Sequence, residues 1–308
     1  MTTPPFVSVI IPVFNDAADL QLTLTGLEQQ TYPQAQFEVI VVDNGSTDRS
    51  VKVAQQFPFV RLLYEHHHTA SPYSARNRGL EVARGEVIAL LDATCVPEPI
   101  WLAEAIKAFA QRKADLVGGN VAFRFASERP SVAELYDAMT NIRMREAILL
   151  RKVAKTANLL VKRSVFEAIG PFPEGVRSGA DVRWTRQVTR AGYKLVFCET
   201  AKVNKAARSH WQLLKKQWRV AKNQPAVWAE AGTQPAFSEI LRGLVVPPKS
   251  QSIKTMVEQS SPVGGRKRFV QFWLMSYAVR LVSHLAYLVS WFQLRRNPAK
   301  QTTPARPQ

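Results

Sequence analysis

Two apolar runs in the first hundred residues each end directly in an aspartate. VIVV leads into Asp43, and VIALL leads into Asp92. A third run, VSVIIPVF, is followed by Asn15 and Asp16. A single aspartate after a strand often caps a helix or a turn. Repetition at successive strand ends instead favours a binding site, because ligands of open α/β sheets lie beyond the carboxyl ends of the strands.

The site around Asp92 lacks a second carboxylate at the spacing that a metal-binding pair would have. The residue two positions later is Thr94. A threonine hydroxyl is neutral and is a poor sole anchor for a hard cation such as Mg²⁺ or Mn²⁺. The motif therefore predicts a binding site at the end of the strand. Its one carboxylate, Asp92, is a doubtful metal ligand.

The elements that would position these residues are short β-branched runs that alternate with helical stretches in the first half of the chain. In one helical stretch, Leu20, Leu24 and Leu27 fall on one face. Another helix is ended by Gly85, just before the run that leads to Asp92. Alternation at this spacing predicts βαβ units and a mostly parallel sheet.

The composition limits the class of protein and its partners. The chain has 308 residues, of which 46% are hydrophobic and 21% charged, so we expect a folded protein with a sizeable core. The net charge of +17 favours polyanions, whether nucleic acid, anionic lipid or phosphorylated substrates. Nucleic-acid-binding motifs are not recognised, and the basic residues concentrate beside an apolar C-terminal segment. We therefore expect no nucleic-acid partner.

Four stretches resemble, in order and at similar spacing, the pattern of family 2 glycosyltransferases with the GT-A fold, in which a Rossmann-like, mostly parallel sheet is flanked by helices. They are VSVIIPVFNDAADLQLTLTGLEQQTYP, EVIVVDNGSTDRS, SARNRGLEVARGEVIALLDATCVPEP and GADVRWTRQVTRAGYKLVF. Together they cover roughly residues 6–210. The resemblance implies inverting transfer of a hexose-type sugar from a nucleotide-sugar donor, of the UDP type, in polysaccharide or glycolipid synthesis.

The resemblance also implies roles for individual residues. The positions that match donor-binding residues are Pro12, Asn15, Asp43, Asn44, Ser46, Arg76, Asp92 and Thr94. Among them, Asp43 matches the aspartate that reads the base, Arg76 a position near the donor phosphates, and Asp92 the first aspartate of the D-x-D motif. Asp181, in SGADVRW, matches the general base, which takes the proton of the acceptor hydroxyl opposite the leaving group.

This chain departs from the family pattern at the positions that usually contact a metal. Thr94 replaces the second aspartate of the D-x-D motif, and Lys205, in AKVNK, stands where many relatives have a histidine. Mg²⁺ or Mn²⁺ is therefore doubtful as a cofactor. We predict that Lys205, with Arg208 or Arg76, supplies the positive charge for the departing diphosphate. The alternative is that Lys205 is one of many solvated surface lysines.

A second alternative concerns the protein as a whole. A family member with altered metal positions could be a catalytically weak protein of the same fold that only binds sugar nucleotides. Retention of Asp43, Asp92 and Asp181 favours the enzyme.

Three further features have both a functional and a structural interpretation. Consecutive histidines in EHHHT (65–69) point in alternating directions and seldom share one ion, so this run predicts a strand-end loop. Asn158 lies in a region that approaches the acceptor in the family. Trp184 either stacks on a sugar or packs in the core, and the core is favoured.

The C-terminal part is basic and helical. We divide the chain into a glycosyltransferase domain at 1–225 and a basic helical region at 226–308, with an apolar helix near 269–294. This helix is long enough to span a bilayer, but it carries Arg280 and His284 on one face. A charge in mid-span costs about 2.5–3.5 kcal/mol on insertion scales.

Three arrangements of this helix therefore remain: lying in the membrane interface, spanning the membrane, or packing against the catalytic domain. The basic flanking runs favour the interfacial arrangement. We accordingly expect a peripheral or single-helix protein on the cytoplasmic face of a membrane, with a sugar or lipid-linked acceptor.

Overall fold

The computed structural model describes residues 3–230, 235–260 and 265–296. The strands in these ranges are β1 (Val7–Val13), β2 (Phe37–Asp43), β3 (Val60–Tyr64), β4 (Val87–Leu91), β5 (Cys95–Pro97), β6 (Leu116–Arg124), β7 (Asn158–Lys162) and β8 (Leu195–Ala206). The α-helices are α1 (Ala17–Glu28), α2 (Ser50–Gln55), α3 (Pro72–Val82), α4 (Trp101–Arg112), α5 (Val132–Thr140), α6 (Met144–Arg151), α7 (Arg163–Ile169), α8 (Ala180–Arg190), α9 (His210–Glu230), α10 (Phe237–Val245), α11 (Ser250–Ser260) and α12 (Gly265–Arg296).

The strands form one sheet in the order β3-β2-β1-β4-β7-β6-β8-β5. Strands β3, β2, β1 and β4 are parallel to one another, and β8 is parallel to β6. The other three pairings, which involve β7 and β5, are antiparallel. Every residue of β1 and β4 is buried, as expected for strands that are covered on both faces. The predicted α/β class with a mostly parallel sheet is confirmed.

The chain forms two compact units. The sheet unit comprises the described residues up to Arg124 together with Ile142–Ala206, and the helical unit comprises Phe125–Asn141 together with the described residues from Ala207 onward. This division differs from the boundary after residue 225 that the sequence predicted. The difference arises because α5 and α9 pack with the C-terminal helices around a second apolar core.

Within the sheet unit, α3 lies unusually close to β1. At Gly79 of α3, a Cβ atom would lie 2.5 Å from Cγ2 of Ile10. Only glycine permits this approach without a shift of one of the two elements. The C-terminal half of α3 is thereby held against the middle of β1.

Within the helical unit, α12 presents three different faces. Phe272, Met275 and Val279 are buried in the core with residues of α5, α9 and α11. A second face carries Arg280 and His284, whose contacts are with the α10 backbone. A third face is exposed and apolar, and its members are Val270, Leu274, Leu285, Val289 and Phe292.

The predicted apolar helix near 269–294 is therefore present as part of α12. Among the described helices, it contains one stretch, Arg268–Gln293, that is long and apolar enough to cross a membrane. Length and composition of this kind are weak evidence of membrane association, since a core helix of a soluble protein meets the same criteria.

Candidate active site

The loops that follow β1 and β2 are joined by hydrogen bonds at one edge of the sheet. The Asp43 carboxylate accepts the backbone N–H groups of Gly45 and Ser46 at 3.2–3.3 Å. The backbone N–H of Asn15 donates to the Ser46 hydroxyl at 3.0 Å, and the side-chain oxygen of Asn15 accepts the backbone N–H of Thr47 at 2.7 Å. Asn15 and Gly45 have positive φ values of 54° and 87°, which suit asparagine and glycine. The sequence places these loops together because β1 and β2 are adjacent and parallel.

Two buried side-chain atoms in the described chain lack a hydrogen-bond partner, and both belong to predicted donor-binding residues. They are Oδ1 of Asn44 and Nε of Arg76. Asn44 is 2% exposed and Arg76 is 1% exposed. Buried polar atoms are rarely left unpaired unless a ligand or water completes them. Pro12, by contrast, is a buried residue within β1, next to Val42 of β2.

A chain of contacts connects the predicted general base to the predicted donor end of the site. The Tyr73 hydroxyl donates to Oδ1 of Asp181 at 2.9 Å. Cζ of Arg76 lies 5.7 Å from the centre of the Tyr73 ring, and Nη2 of Arg76 lies 2.7 Å from Oδ1 of Asp92. Tyr73 and Arg76 are three residues apart on α3 and so share a face of that helix.

Asp181 lies in the first turn of α8, after Gly179 with φ +83°. Its carboxylate also accepts the Val182 N–H at 2.9 Å and the Thr156 N–H at 3.3 Å. The positive end of the helix dipole therefore lies next to this carboxylate. Burial and the charge of Asp181 together raise the pKa of Tyr73, so its hydroxyl stays protonated and serves as the donor. Tyr73 was not predicted from the sequence, although its spacing from Arg76 in SPYSARNRG was a usable signal.

Thr94 and Lys205 are brought together by the pairing of β5 with β8. Cys95 of β5 lies opposite Lys205 of β8, and the Lys205 ammonium donates to the Thr94 hydroxyl. Lys205 is 3% exposed, so the interpretation as a solvated surface lysine is wrong. A lysine is seldom this deeply buried unless it is paired.

Asp16 is a second residue of this edge that sequence reasoning noted but did not assign to the site. Burial, followed by the charge of Asp19, raises its pKa to about 6. The charge of Asp92 raises the pKa further, whereas that of Lys205 lowers it. Asp92 and Lys205 are therefore both close enough to Asp16 to affect the pKa of its carboxyl.

Arg208, the other predicted phosphate-binding cation, belongs to the helical unit. Its Nη1 lies 3.2 Å from both carboxylate oxygens of Asp137, and its backbone N–H donates to the same carboxylate at 3.0 Å. Asp137 is fully buried. This guanidinium is accordingly matched to an acid of its own unit.

The remaining candidates have structural contacts. Trp184 is 2% exposed, stacks on Phe166 at 4.6 Å and donates to a backbone carbonyl, which confirms the core interpretation. The Asn158 amide is fully buried and makes three hydrogen bonds inside the sheet unit. The histidines of EHHHT follow β3 as a loop, in which the Glu65 carboxylate accepts the N–H groups of His67 and His68. Among the described residues, no three His, Cys, Asp or Glu side chains are grouped so that they could hold a metal ion.

The sequence matches a family model described as "Glycosyl transferase family 2" over residues 8–170. It is 45% identical over 231 residues to the glycosyltransferase AglE of Haloferax volcanii, which covers 74% of this chain and 75% of that relative. A pre-mycofactocin glycosyltransferase of Mycobacterium tuberculosis is 28% identical over 198 residues, or 62% of this chain and 40% of its own length.

Solved structures are similar to this chain in fold. The mannosyltransferase PcManGT of Pyrobaculum calidifontis, in complex with GDP-Man and Mn²⁺, has a TM-score of 0.54 and 21% identity, and the match covers 99% of this chain and 78% of that chain. TarS 1-349 of S. aureus, in complex with UDP-GlcNAc, has a TM-score of 0.54 and 16% identity, with coverage of 95% and 92%.

Proposed function

Because the chain belongs to glycosyl transferase family 2, we propose that it moves a hexose-type sugar from a nucleotide-sugar donor to an acceptor hydroxyl with inversion at the anomeric carbon. The observation that carries this proposal is the continuous contact from Asp181 through Tyr73 and Arg76 to Asp92. One helix thus links a carboxylate suited to act as a base with the sheet edge where a donor would lie.

In the proposed reaction, Asp181 is the general base. Its carboxylate accepts the proton of the acceptor hydroxyl while the acceptor oxygen bonds to the anomeric carbon. The bond between that carbon and the diphosphate oxygen breaks, and its electron pair leaves with the nucleoside diphosphate. The Tyr73 hydroxyl and the Thr156 N–H hold the carboxylate in place, which fixes the direction from which it approaches.

The donor would lie along the ends of β1, β2 and β4. We assign contact with the base to the loop of Asp43, Asn44 and Ser46, with Pro12 and Asn15 beside it. The unpaired Oδ1 of Asn44 supports this assignment, because it is an acceptor that base or ribose groups can meet. The unpaired Nε of Arg76 supports a place for phosphate at the other end.

The donor is proposed to be of the UDP type, and the two solved structures named above hold UDP-GlcNAc and GDP-Man. A thermal-shift screen of the purified protein with UDP-, GDP- and dTDP-sugars tests this choice. The anomeric configuration of the product, read by NMR, tests inversion. A protein that binds a donor but transfers and hydrolyses it no faster than its Asp181→Ala variant would be the catalytically weak binding protein instead.

We further propose that the enzyme works at the cytoplasmic face of a membrane, on a sugar or lipid-linked acceptor for polysaccharide or glycolipid synthesis. The exposed apolar face of α12 supports an arrangement in the interface plane. A spanning arrangement is disfavoured, because Arg280 and His284 are held by the backbone carbonyls of Gly243 and Ile240 in a neighbouring helix.

Sedimentation with vesicles tests this arrangement. We expect the protein to bind vesicles that contain anionic lipid, and a Leu285→Glu/Val289→Glu variant to bind much less while retaining its helical content. Release of the wild-type protein by carbonate at high pH would support the interfacial arrangement, and retention in the membrane would support a span.

A further inference from the structure

We infer that Thr94 and Lys205 together bind the donor diphosphate in place of a divalent metal ion, so that nucleotide binding does not require a metal. This inference rests on the proposed function, because it concerns the leaving group of that donor. The two residues are joined by a hydrogen bond across the β5–β8 pairing, at the strand end that carries Asp92.

The direction of this hydrogen bond makes Thr94 a donor toward the site. An ammonium group has three donors and no acceptor, so the Thr94 oxygen accepts from Lys205. The hydroxyl proton of Thr94 is then left to donate to another group. Thr94 is half-buried, whereas Lys205 is buried, at 3% exposed. A phosphate oxygen suits this hydroxyl, because the charge of Lys205 strengthens it as a donor.

Arg76 provides a second cation at the same strand end. Its guanidinium contacts Asp92 at 2.7 Å, and its buried Nε is without a partner. A guanidinium has five N–H donors, so it can hold Asp92 and a phosphate oxygen together. Arg76 and the Thr94–Lys205 pair would then neutralise the charge that develops on the departing diphosphate.

The same residues are a poor set of metal ligands. Hard divalent cations prefer several carboxylate or carbonyl oxygens. Here one carboxylate oxygen of Asp92 accepts a hydrogen bond from Arg76, and the hydroxyl oxygen of Thr94 accepts one from the Lys205 ammonium group. A dication beside Thr94 would be repelled by both cations, and such repulsion is strong where burial lowers the effective dielectric constant. A divalent metal therefore does not fit this site.

The charges at positions 94 and 205 agree with a direct replacement of the metal ion by the Lys205 ammonium group. In the metal-binding pattern that the resemblance implies, an aspartate at position 94, a neutral histidine at position 205 and a dication sum to +1. Thr94 and Lys205 sum to +1 as well. The diphosphate would meet the same net charge in both arrangements, which explains why both positions differ together.

Isothermal titration of UDP, GDP and dTDP in excess EDTA tests the inference without a need for an acceptor. We expect the wild-type protein to bind its nucleotide equally well in EDTA and in Mn²⁺. The Lys205→Met variant should bind about 10- to 100-fold more weakly, the loss typical of hydrogen bonds to charged groups. Its thermal stability should be equal or higher, because a buried charge is replaced by an apolar group of similar length.

Matched variants separate the contribution of the pair from general effects. Thr94→Ser should bind nearly as well as the wild type, whereas Thr94→Val, which has the same shape without the hydroxyl, should bind more weakly. Lys202→Met serves as the charge control, since Lys202 lies on the same strand and pairs with Glu98 at 2.7 Å. It should leave nucleotide affinity unchanged.

The double variant Thr94→Asp/Lys205→His should convert the site. It should bind the nucleotide weakly in EDTA and recover affinity in Mn²⁺, whereas Thr94→Asp alone should stay weak in both, because Lys205 remains and is neutralised. Wild-type binding that disappears in EDTA and returns with Mn²⁺ would overturn the inference and leave the proposed function standing. Failure of all three nucleotides to bind in either condition would overturn both.

Discussion

The sheet unit buries two cations and the helical unit holds two that are partly exposed, and the two units provide different partners for them. In the helical unit, Arg208 is matched by the buried carboxylate of Asp137, and Arg280 donates to a backbone carbonyl at 2.9 Å. In the sheet unit, Arg76 has a buried N–H without a partner, and Lys205 donates to a neutral hydroxyl. Arg208 is matched by a carboxylate of its own unit, whereas Lys205 has a neutral partner, and Arg76, although it pairs with Asp92, keeps one N–H without a partner.

This difference separates a structural charge from one that we propose to be functional. A buried charge that is fully paired contributes to the stability of its own surroundings and suffers when its partner is removed. A buried charge that is incompletely paired costs stability, and a bound ligand compensates for it. Substitutions in the sheet unit should therefore affect activity more than stability, and those in the helical unit should do the reverse.

The largest effect is expected at Asp181. Asp181→Asn should lower the transfer rate by about 10²- to 10⁴-fold, the usual contribution of a general base. The melting temperature should change little, because the amide keeps an oxygen that can accept from Tyr73 and Val182, and only the longer bond from Thr156 is lost. Steady-state kinetics and thermal unfolding, measured on one preparation, check the transfer rate and the melting temperature. An unfolded variant would count against the distinction between the two units.

The corresponding effect in the helical unit is one of stability. Asp137→Ala leaves Arg208 without its buried partner and should lower the free energy of unfolding by about 3–5 kcal/mol. Chemical denaturation measures this loss. Replacement of both residues, as Asp137→Ala/Arg208→Met, should recover part of the lost stability. If the double variant were no more stable than the single one, the loss in Asp137→Ala would not come from leaving Arg208 unpaired.

A smaller loss is expected where α10 meets α12. A Cβ atom at Gly243 would lie 1.8 Å from Cε1 of His284, so Gly243→Ala must displace that ring from its hydrogen bond with Ile240. We expect a loss of about 1–2 kcal/mol in unfolding free energy, reduced by the better helix propensity of alanine. In the double variant Gly243→Ala/His284→Ala the clash is absent, and the alanine at position 243 should then be neutral or stabilising.

The smallest effect concerns the pH dependence of stability in the sheet unit. Burial and nearby carboxylates raise the pKa of Asp16 to about 6, above its ordinary value of 3.8. The folded state therefore binds this proton more tightly than the unfolded state, and Asp16 contributes more stability as the pH falls from about 6 towards 4. Because Asp16 is only half-buried, we expect a contribution of about 1 kcal/mol.

Denaturation of the wild type and of Asp16→Asn at about pH 7.5 and about pH 4.5 measures this contribution as the change in their difference. The free energy of unfolding of Asp16→Asn, relative to that of the wild type, should be higher at the higher pH. An equal difference at both pH values would mean that Asp16 is not held against its charged neighbours.

Much of the sheet unit could be predicted from the sequence. The buried runs that end at Asp43 and Asp92 predicted parallel strands, and β1, β2 and β4 place these ends side by side. The helical pattern also predicted the long helix that became α12. These features depend on local periodicity and on the fixed geometry of parallel strands, which a single sequence records.

The division between the units could not be read in this way. The chain leaves the sheet unit after Arg124 and returns to it at Ile142. The residues between, 125–141, belong to the helical unit, whose other helices begin more than sixty residues later. Periodicity identifies α5 as a helix, but it does not say which apolar surface its buried face will meet. The sequence boundary after 225 consequently fell inside α9.

What the sequence determined by itself is the type of each site residue and the sheet edge to which it belongs, including the departures at Thr94 and Lys205. Only the tertiary structure decided which of these side chains are satisfied. It gave Arg208 a carboxylate, Lys205 a hydroxyl and Asp181 the Tyr73 hydroxyl. The reason is physical: hydrogen-bond partners of a buried charge come from elements distant in the chain, and their approach is fixed by packing.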